Sequence, residues 1–325
     1  MLAIIIPFYK HTFFKDTLES LATQTDKRFK VYIGDDASPK DPVALLECYK
    51  NKFDFVYRRF ESNLGKESLV KQWERCIALS EDEEWLMLLG DDDYISTNYI
   101  EAFYGQIEAI QASRVNVVRY ATQVNKFGAE LSKVYTHPKI ETSPDSFYKN
   151  IFKSSRSSLS EHLFRREAYL KHGFRDFPLA WGVDDFAWLD FTEFETIYTI
   201  NEAIAFIRIS PESISRKGYR ESQKLEARYI YFSLIIYKYI NKFKKEQHNS
   251  LYRYYEHLVY STNHISFRFW FVLSLYYLFH KDILKFFKFQ RRILVNKYFR
   301  SYQKHLSFLL ISLQLLSMIV ANTIV

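Results

Sequence analysis

Trp85-Leu86-Met87-Leu88-Leu89-Gly90-Asp91-Asp92-Asp93 is the stretch on which the fold turns. Five consecutive apolar residues are too few for a helix, and their closure by glycine predicts a strand buried on both faces. That strand stops on three carboxylates. The same design recurs upstream: Leu2–Ile6 is an apolar run closed by Pro7-Phe8-Tyr9, and Lys30–Gly34 runs into Asp35-Asp36. Helical spacing lies between the strands, with Phe14, Leu18 and Leu21 on one face and, before Trp85, Leu69, Trp73, Cys76 and Ile77 on another. Asp41-Pro42 places a cap and a first-turn residue at a helix start. Phe53–Tyr57 reads as a third strand, Asn98 with Glu101 as a capping box, and Asn116–Val124 as a further strand. This β-α-β-α rhythm predicts an α/β fold with a mostly parallel, Rossmann-like sheet covered by helices on both faces. Ligands of such sheets bind beyond the carboxyl ends of the strands. Pro7-Phe8-Tyr9, Asp35-Asp36 and Asp91-Asp92-Asp93 all fall there.

Further along, Ser157–Phe164 reads as a strand, Glu167–His172 as a short helix and Phe186–Phe194 as a helix after the turn Trp181-Gly182-Val183-Asp184-Asp185. Ile197–Ile209 reads as one or two strands, and long aromatic helices follow Glu221. Charge divides at the same place. Residues 222–325 hold 16 Lys/Arg against 4 Asp/Glu, whereas residues 1–221 hold 29 against 34. An acidic front and a basic, aromatic rear imply two parts with different tasks. Cys48 and Cys76 are the only cysteines among 325 residues, which excludes a disulfide framework and a cysteine-rich zinc site and suggests a reducing compartment. Met1 is followed directly by the apolar run, without a basic leader or a small-residue cleavage pattern, so a buried strand rather than a secretory signal is expected there.

The carboxylates carry the chemistry. Asp91–Asp93 read either as a charged turn before the next helix or as a site where Mg²⁺ or Mn²⁺ is held while substrate phosphates complete its coordination. Asp35-Asp36 reads as a turn or as hydrogen-bond acceptors for a base and a ribose. Asp184-Asp185, taken alone, reads as an acidic helix start. Lys66 stands near a broken phosphate-loop pattern, with Phe60 where the first glycine is required, and reads as solvated or as a nucleotide contact.

Ile4-Ile5-Ile6-Pro7-Phe8-Tyr9, Leu18-Glu19-Ser20-Leu21-Ala22-Thr23-Gln24-Thr25, Val31-Tyr32-Ile33-Gly34-Asp35-Asp36-Ala37-Ser38, Ser62-Asn63-Leu64-Gly65 and Leu88-Leu89-Gly90-Asp91-Asp92-Asp93 together resemble family 2 glycosyltransferases in order and spacing. The resemblance covers residues 2–110, fades over 111–155, returns over 156–216 and does not reach the rear. It implies a type-A glycosyltransferase fold, with a nucleotide-sugar-binding half (1–110), an acceptor half (111–221) and an appended helical region (222–325). It also implies inverting transfer from a nucleotide-diphosphate sugar to a hydroxyl of a glycan or polyprenyl-linked acceptor in cell-surface polysaccharide synthesis. Carried over by position, Pro7 and Tyr9 line the base pocket, Asp36 reads the base with Asp35 nearby, and Asp91 meets the ribose. Asp92 and Asp93 hold a divalent Mn or Mg ion, and Asp185 is the general base with Asp184 beside it. Gly90 stands where many relatives have the first aspartate. Ser210 stands where a histidine often approaches the diphosphate, with Arg216 and Lys217 as substitutes. The alternative is a non-catalytic nucleotide-sugar-binding or scaffold protein.

The rear is expected to meet the membrane. Leu306–Val325 has no charged residue but is diluted by serines, Gln314, Asn322 and Thr323, and Phe267–Phe289 interleaves Arg268, Lys281, Lys285 and Lys288 with aromatic rings. In-plane association with an anionic surface, a spanning helix, and a buried helix or oligomer contact are all open to the last segment. With no nucleic-acid module in view, the expectation is a cytoplasmic enzyme, peripheral on the inner face of the cell membrane, with no nucleic acid partner.

Overall fold

A computed structural model of the chain describes residues 1–126, 130–211, 213, 218, 220–280 and 282–295. Arg216, Lys217 and the segment Leu306–Val325 lie outside the described residues. The strands are β1 (Leu2–Phe8), β2 (Phe29–Asp35), β3 (Asp54–Arg59), β4 (Trp85–Leu88), β5 (Tyr94–Ile95), β6 (Val117–Lys126), β7 (Ile140–Thr142), β8 (His162–Arg165) and β9 (Thr196–Ile209). They form one nine-stranded sheet in the order β3-β2-β1-β4-β8-β6-β9-β5, with β7 also on β9. β1, β2, β3, β4, β6 and β9 run in one direction, and the short β5, β7 and β8 run against it. The expected mostly parallel α/β sheet is therefore present.

Burial explains the central strands. Every residue of β1 except Pro7 is fully buried, as are Val31, Tyr32 and Ile33 of β2 and Leu86–Leu88 of β4. A strand covered on both faces has no polar side to alternate with. Proline inside a central strand would ordinarily forfeit a ladder bond. Here the β1–β4 register ends at Ile5 with Leu88, and the last bond on that side runs from Leu89 N–H to Ile5 C=O. Pro7 thus falls where β4 has already turned away into Gly90–Asp93, and no donor is lost.

The flanking helices are α1 (Phe14–Ala22), α2 (Val43–Glu47), α3 (Leu69–Ile77), α4 (Tyr99–Gly105), α5 (Ile107–Ala112), α6 (Ser143–Phe152), α7 (Arg166–His172) and α8 (Val183–Phe191). Asp41 Oδ1 accepts from Val43 N–H at 2.8 Å, but the cap position of α2 falls on Pro42, one residue later than expected. The capping box at Asn98 does not form. Asn98 donates instead to the Glu202 carbonyl, and Glu101 accepts from Thr25, so tertiary partners outcompete the local one. On α3, Val70 and Cys76 face the core, whereas Leu69 and Trp73 are only half-buried. Between β6 and α6, the fully buried Arg119 donates to Glu141 (2.9 Å), Ser146 (2.5 Å) and Thr199 (3.2 Å).

Two compact units divide the chain, Met1–Thr262 and Asn263–Val325. The first includes α9 (Glu221–Leu234) and α10 (Lys245–Thr262) besides the sheet; the second begins with α11 (Phe267–Phe279). No described helix is long and apolar enough to cross a membrane.

Candidate active site

A cavity of about 1230 Å³ opens at the carboxyl ends of the parallel strands, lined by Pro7, Tyr9, Asp36, Lys66, Asp91, Asp92, Asp93 and Asp184 among others. Eight of the ten residues singled out from the sequence are thus brought to one hollow. Asp35 and Asp185 are the two that do not line it.

The adjacent pair at the end of β2 divides because successive strand residues point to opposite faces. Asp35 is fully buried and accepts from Ser38 N–H (2.7 Å), the Tyr57 hydroxyl (2.7 Å) and Arg59 (2.9 Å). Its carboxylate holds the turn after β2 and does not reach the cavity. Asp36 does reach it, accepting from Leu64 N–H (2.7 Å) and Gly65 N–H (3.0 Å) and pairing with Arg75. Burial still raises the pKa of Asp36 against those three donors. Gly65 is required by this approach, since a Cβ there would lie 2.6 Å from Asp36 Oδ2. Arg75 lies in turn over the Phe60 ring, 3.9 Å from its centroid.

The Asp91–Asp93 turn is held from three sides. Asp91 Oδ2 accepts from the N–H groups of Tyr9 (2.8 Å) and Lys10 (2.6 Å), which ties the end of β1 to the end of β4. The Thr17 hydroxyl of α1 donates to the carbonyls of Asp91 and Asp93. Ser160 Oγ donates to Asp93 Oδ2 (2.5 Å) and accepts from Gly90 N–H (3.1 Å), while Arg208 N–H of β9 donates to Asp93 Oδ1 (2.8 Å). Burial first, and the Asp92 charge second, push the Asp93 carboxyl up; burial does the same to Asp91, opposed by Lys10. Burial alone would lower the Lys10 ammonium, but Asp91 and Asp92 outweigh it and raise its pKa.

Asp92 differs from its neighbours. It is half-buried, and its carboxylate is engaged by the Lys10 ammonium at 2.8 Å. Among the described residues, no group of three or more His, Cys, Asp or Glu side chains is placed to hold a metal ion. Mg²⁺ bound with a phosphate substrate, however, needs only one or two protein carboxylates. The half-buried Asp92, next to Asp93 and open to the cavity, supplies a donor set of that kind.

Across the cavity, α8 starts at Gly182 with a positive φ of 77°, and a Cβ there would meet the Tyr231 ring at 2.5 Å. Asp184 and Asp185 follow in its first turn, and the Asp184 carboxylate accepts from the backbone N–H groups of Asp184 and Asp185. Asp184 lines the cavity. Asp185 sits beside it and accepts from Asn150 Nδ2 of α6 at 2.8 Å. Burial pushes both carboxyls up, and the Asp184 charge adds to the rise at Asp185. Leu179 and Ala180, on the same wall, hold φ values of 58° and 52°. Such strain in non-glycine residues collects at functional walls.

The family model described as Glycosyl transferase family 2 matches residues 3–173, more than half the chain. The chain belongs to this family. Among solved structures, it is similar to S. aureus TarS 1–349 in complex with UDP-GlcNAc, with a TM-score of 0.60 and 14% identity over 84% of this chain and 79% of that one. It is also similar to a structure of S. aureus TarS, with a TM-score of 0.56 and 16% identity over 80% of this chain. The match covers 43% of that TarS chain, so the present chain spans less than half of its length. At these identities the likeness is one of fold, and it agrees with the type-A glycosyltransferase architecture. No curated protein matches the chain in sequence.

Four residues that contact the aspartates of this cavity were given no role from the sequence. Lys10 directly follows the first strand motif, where a cation beside an acidic turn was available as a signal. Arg75 lies one residue from the helix face marked by Trp73 and Cys76. Ser160 and Arg208 reach the acidic turn from β8's approach and from β9, distances in sequence that no local pattern spans.

Proposed function

We propose that the protein is an inverting glycosyltransferase that moves a sugar from a nucleotide-diphosphate sugar to a hydroxyl of a glycan or lipid-linked acceptor in cell-surface polysaccharide synthesis. The observation that carries the reading is the single cavity lined by Asp36, Asp91–Asp93 and Asp184 at the carboxyl ends of the parallel strands. Family membership and the fold shared with the UDP-GlcNAc complex of TarS support a nucleotide sugar as donor.

In this reading Pro7 and Tyr9 flank the base, Asp36 accepts from it, and Lys66 approaches the nucleotide. Asp35 is assigned support of the Asp36 turn. Asp91 fixes the end of β1 and faces the ribose. Asp92, with Asp93, would hold a divalent Mn or Mg ion against the diphosphate. That ion, when bound, supplies positive charge to the leaving diphosphate. Lys10 brings a further cation to the same place, and charges set in advance stabilise the departing group without reorganisation. The acceptor hydroxyl attacks the anomeric carbon from the side opposite the diphosphate. Asp185, oriented by Asn150, takes the hydroxyl proton. Asp184, its neighbour in the first turn of α8, lines the cavity. The enzyme works at the inner face of the cell membrane, where a polyprenyl-linked acceptor is presented.

The test is donor turnover with added Mn²⁺ across common nucleotide-diphosphate sugars. Release of nucleotide diphosphate that is lost in Asp92→Asn is expected. Donor binding without any turnover would instead establish the non-catalytic alternative.

A further inference from the structure

The unit that begins at Asn263 leaves an apolar surface in water for which its own packing gives no reason. α11 carries large apolar residues around its whole circumference, with Arg268 its one charge. Its inner stripe is satisfied: Phe269 and Tyr277 pack on Phe289, with ring centroids 5.6 and 5.8 Å away, and Gln290 links Trp270 (2.7 Å) to Ser274 (2.8 Å). Its outer positions Phe267 and Phe279 are 75% and 79% exposed, with Phe271 between them also exposed. The helical residues 283–295 repeat the pattern. Phe289 is buried, and the opposite face shows Ile283, Leu284, Phe287 and Leu294, each more than 60% exposed, with Arg291 among them and Lys288 beside them. A helix apolar all round belongs in a core or in lipid. Thirteen residues reach about 20 Å, short of a bilayer of about 30 Å, so α11 can lie in the membrane plane but not cross it. Residues 263–295 also carry six Lys/Arg against a single Asp, the complement of an anionic headgroup layer.

We propose that this face docks on an anionic lipid bilayer, with Phe267, Phe271, Phe279 and Phe287 entering the boundary between headgroups and acyl chains and Lys288 and Arg291 meeting lipid phosphates. The inference rests on the membrane part of the function proposed above and names the surface responsible. It is tested with the full chain by flotation with vesicles of phosphatidylglycerol and phosphatidylcholine, against vesicles of phosphatidylcholine alone. Binding to the first and not the second is expected. Lys288→Gln with Arg291→Gln weakens binding about fivefold per charge, and Phe271→Ser with Phe287→Ser weakens it roughly tenfold or more. These side chains are exposed, and an unchanged circular dichroism spectrum confirms that each variant folds. Equal binding to both vesicles, no binding, or binding unmoved by either pair overturns the proposal. So does a concentration-dependent dimer that the same substitutions dissolve in a protein that ignores vesicles. Transfer to a soluble acceptor is read alongside. Flotation without transfer leaves the docking surface standing and refutes the enzyme reading, whereas transfer without flotation does the reverse.

Discussion

Replacing Asp185 by asparagine separates chemistry from structure. Asn150 Nδ2 donates to Asp185 Oδ1 at 2.8 Å, and the asparagine carbonyl can accept the same bond, so the side chain keeps its place. What is lost is a proton acceptor. A positioned base contributes about 10²–10⁴-fold, or roughly 3–5 kcal/mol of barrier at about 1.36 kcal/mol per decade, and kcat should fall by that factor with little change in donor KM. Stability should move the other way. Burial raises the folded-state pKa of Asp185 above its unfolded value, so the native state binds the extra proton between the ordinary carboxylate range and that raised value. Unfolding free energy therefore falls as pH rises through this window. Burying this carboxyl therefore costs stability at neutral pH, and Asp185→Asn should raise Tm or leave it unchanged. The same shift places the acidic limb of the wild-type kcat profile above the ordinary carboxylate pKa of about 3.9, with activity rising as pH rises. Steady-state transfer assays and thermal unfolding at matched pH read both effects. Full turnover in Asp185→Asn, with Asp184→Asn inactive, would refute the assignment and move the base to the residue that lines the cavity.

Asp36→Asn leaves Arg75 without its carboxylate at the edge of the cavity, and, if Asp36 meets the donor as proposed, donor KM should rise about tenfold while kcat holds, read by initial-rate kinetics. Gly182→Ala puts a methyl group 2.5 Å from the Tyr231 ring in a left-handed conformation. Chemical denaturation should show a loss of about 1–3 kcal/mol. Arg119→Met strands the buried Glu141 with Lys149 alone, and the same measurement should show a loss of about 3–5 kcal/mol.

The strands were legible because burial on both faces writes itself as an unbroken apolar run, as in Leu2–Ile6 and Trp85–Leu89. The acidic ends were legible for the same reason: a run must stop somewhere, and Asp36 and Asp91–Asp93 mark where. Which aspartate of a pair serves the cavity was not, because Asp35 and Asp36 differ only in the face of the sheet they point to, and that is set by β1 and β3. Leu69 and Trp73 carry core-like spacing yet line the cavity, since an apolar side chain reads alike against protein and against a ligand. Ser160 and Arg208 converge on Asp93 from strands far along the chain, and only the order β4-β8-β6-β9 brings them near.

The central claim is that the acidic strand ends fold around a nucleotide diphosphate. Thermal unfolding with Mn²⁺ and a panel of nucleotide-diphosphate sugars tests it most directly. At least one donor should raise Tm in the wild type, and that rise should shrink in Asp36→Asn and vanish in Asp92→Asn. Stabilisation that neither substitution reduces, or none from any donor, would contradict it.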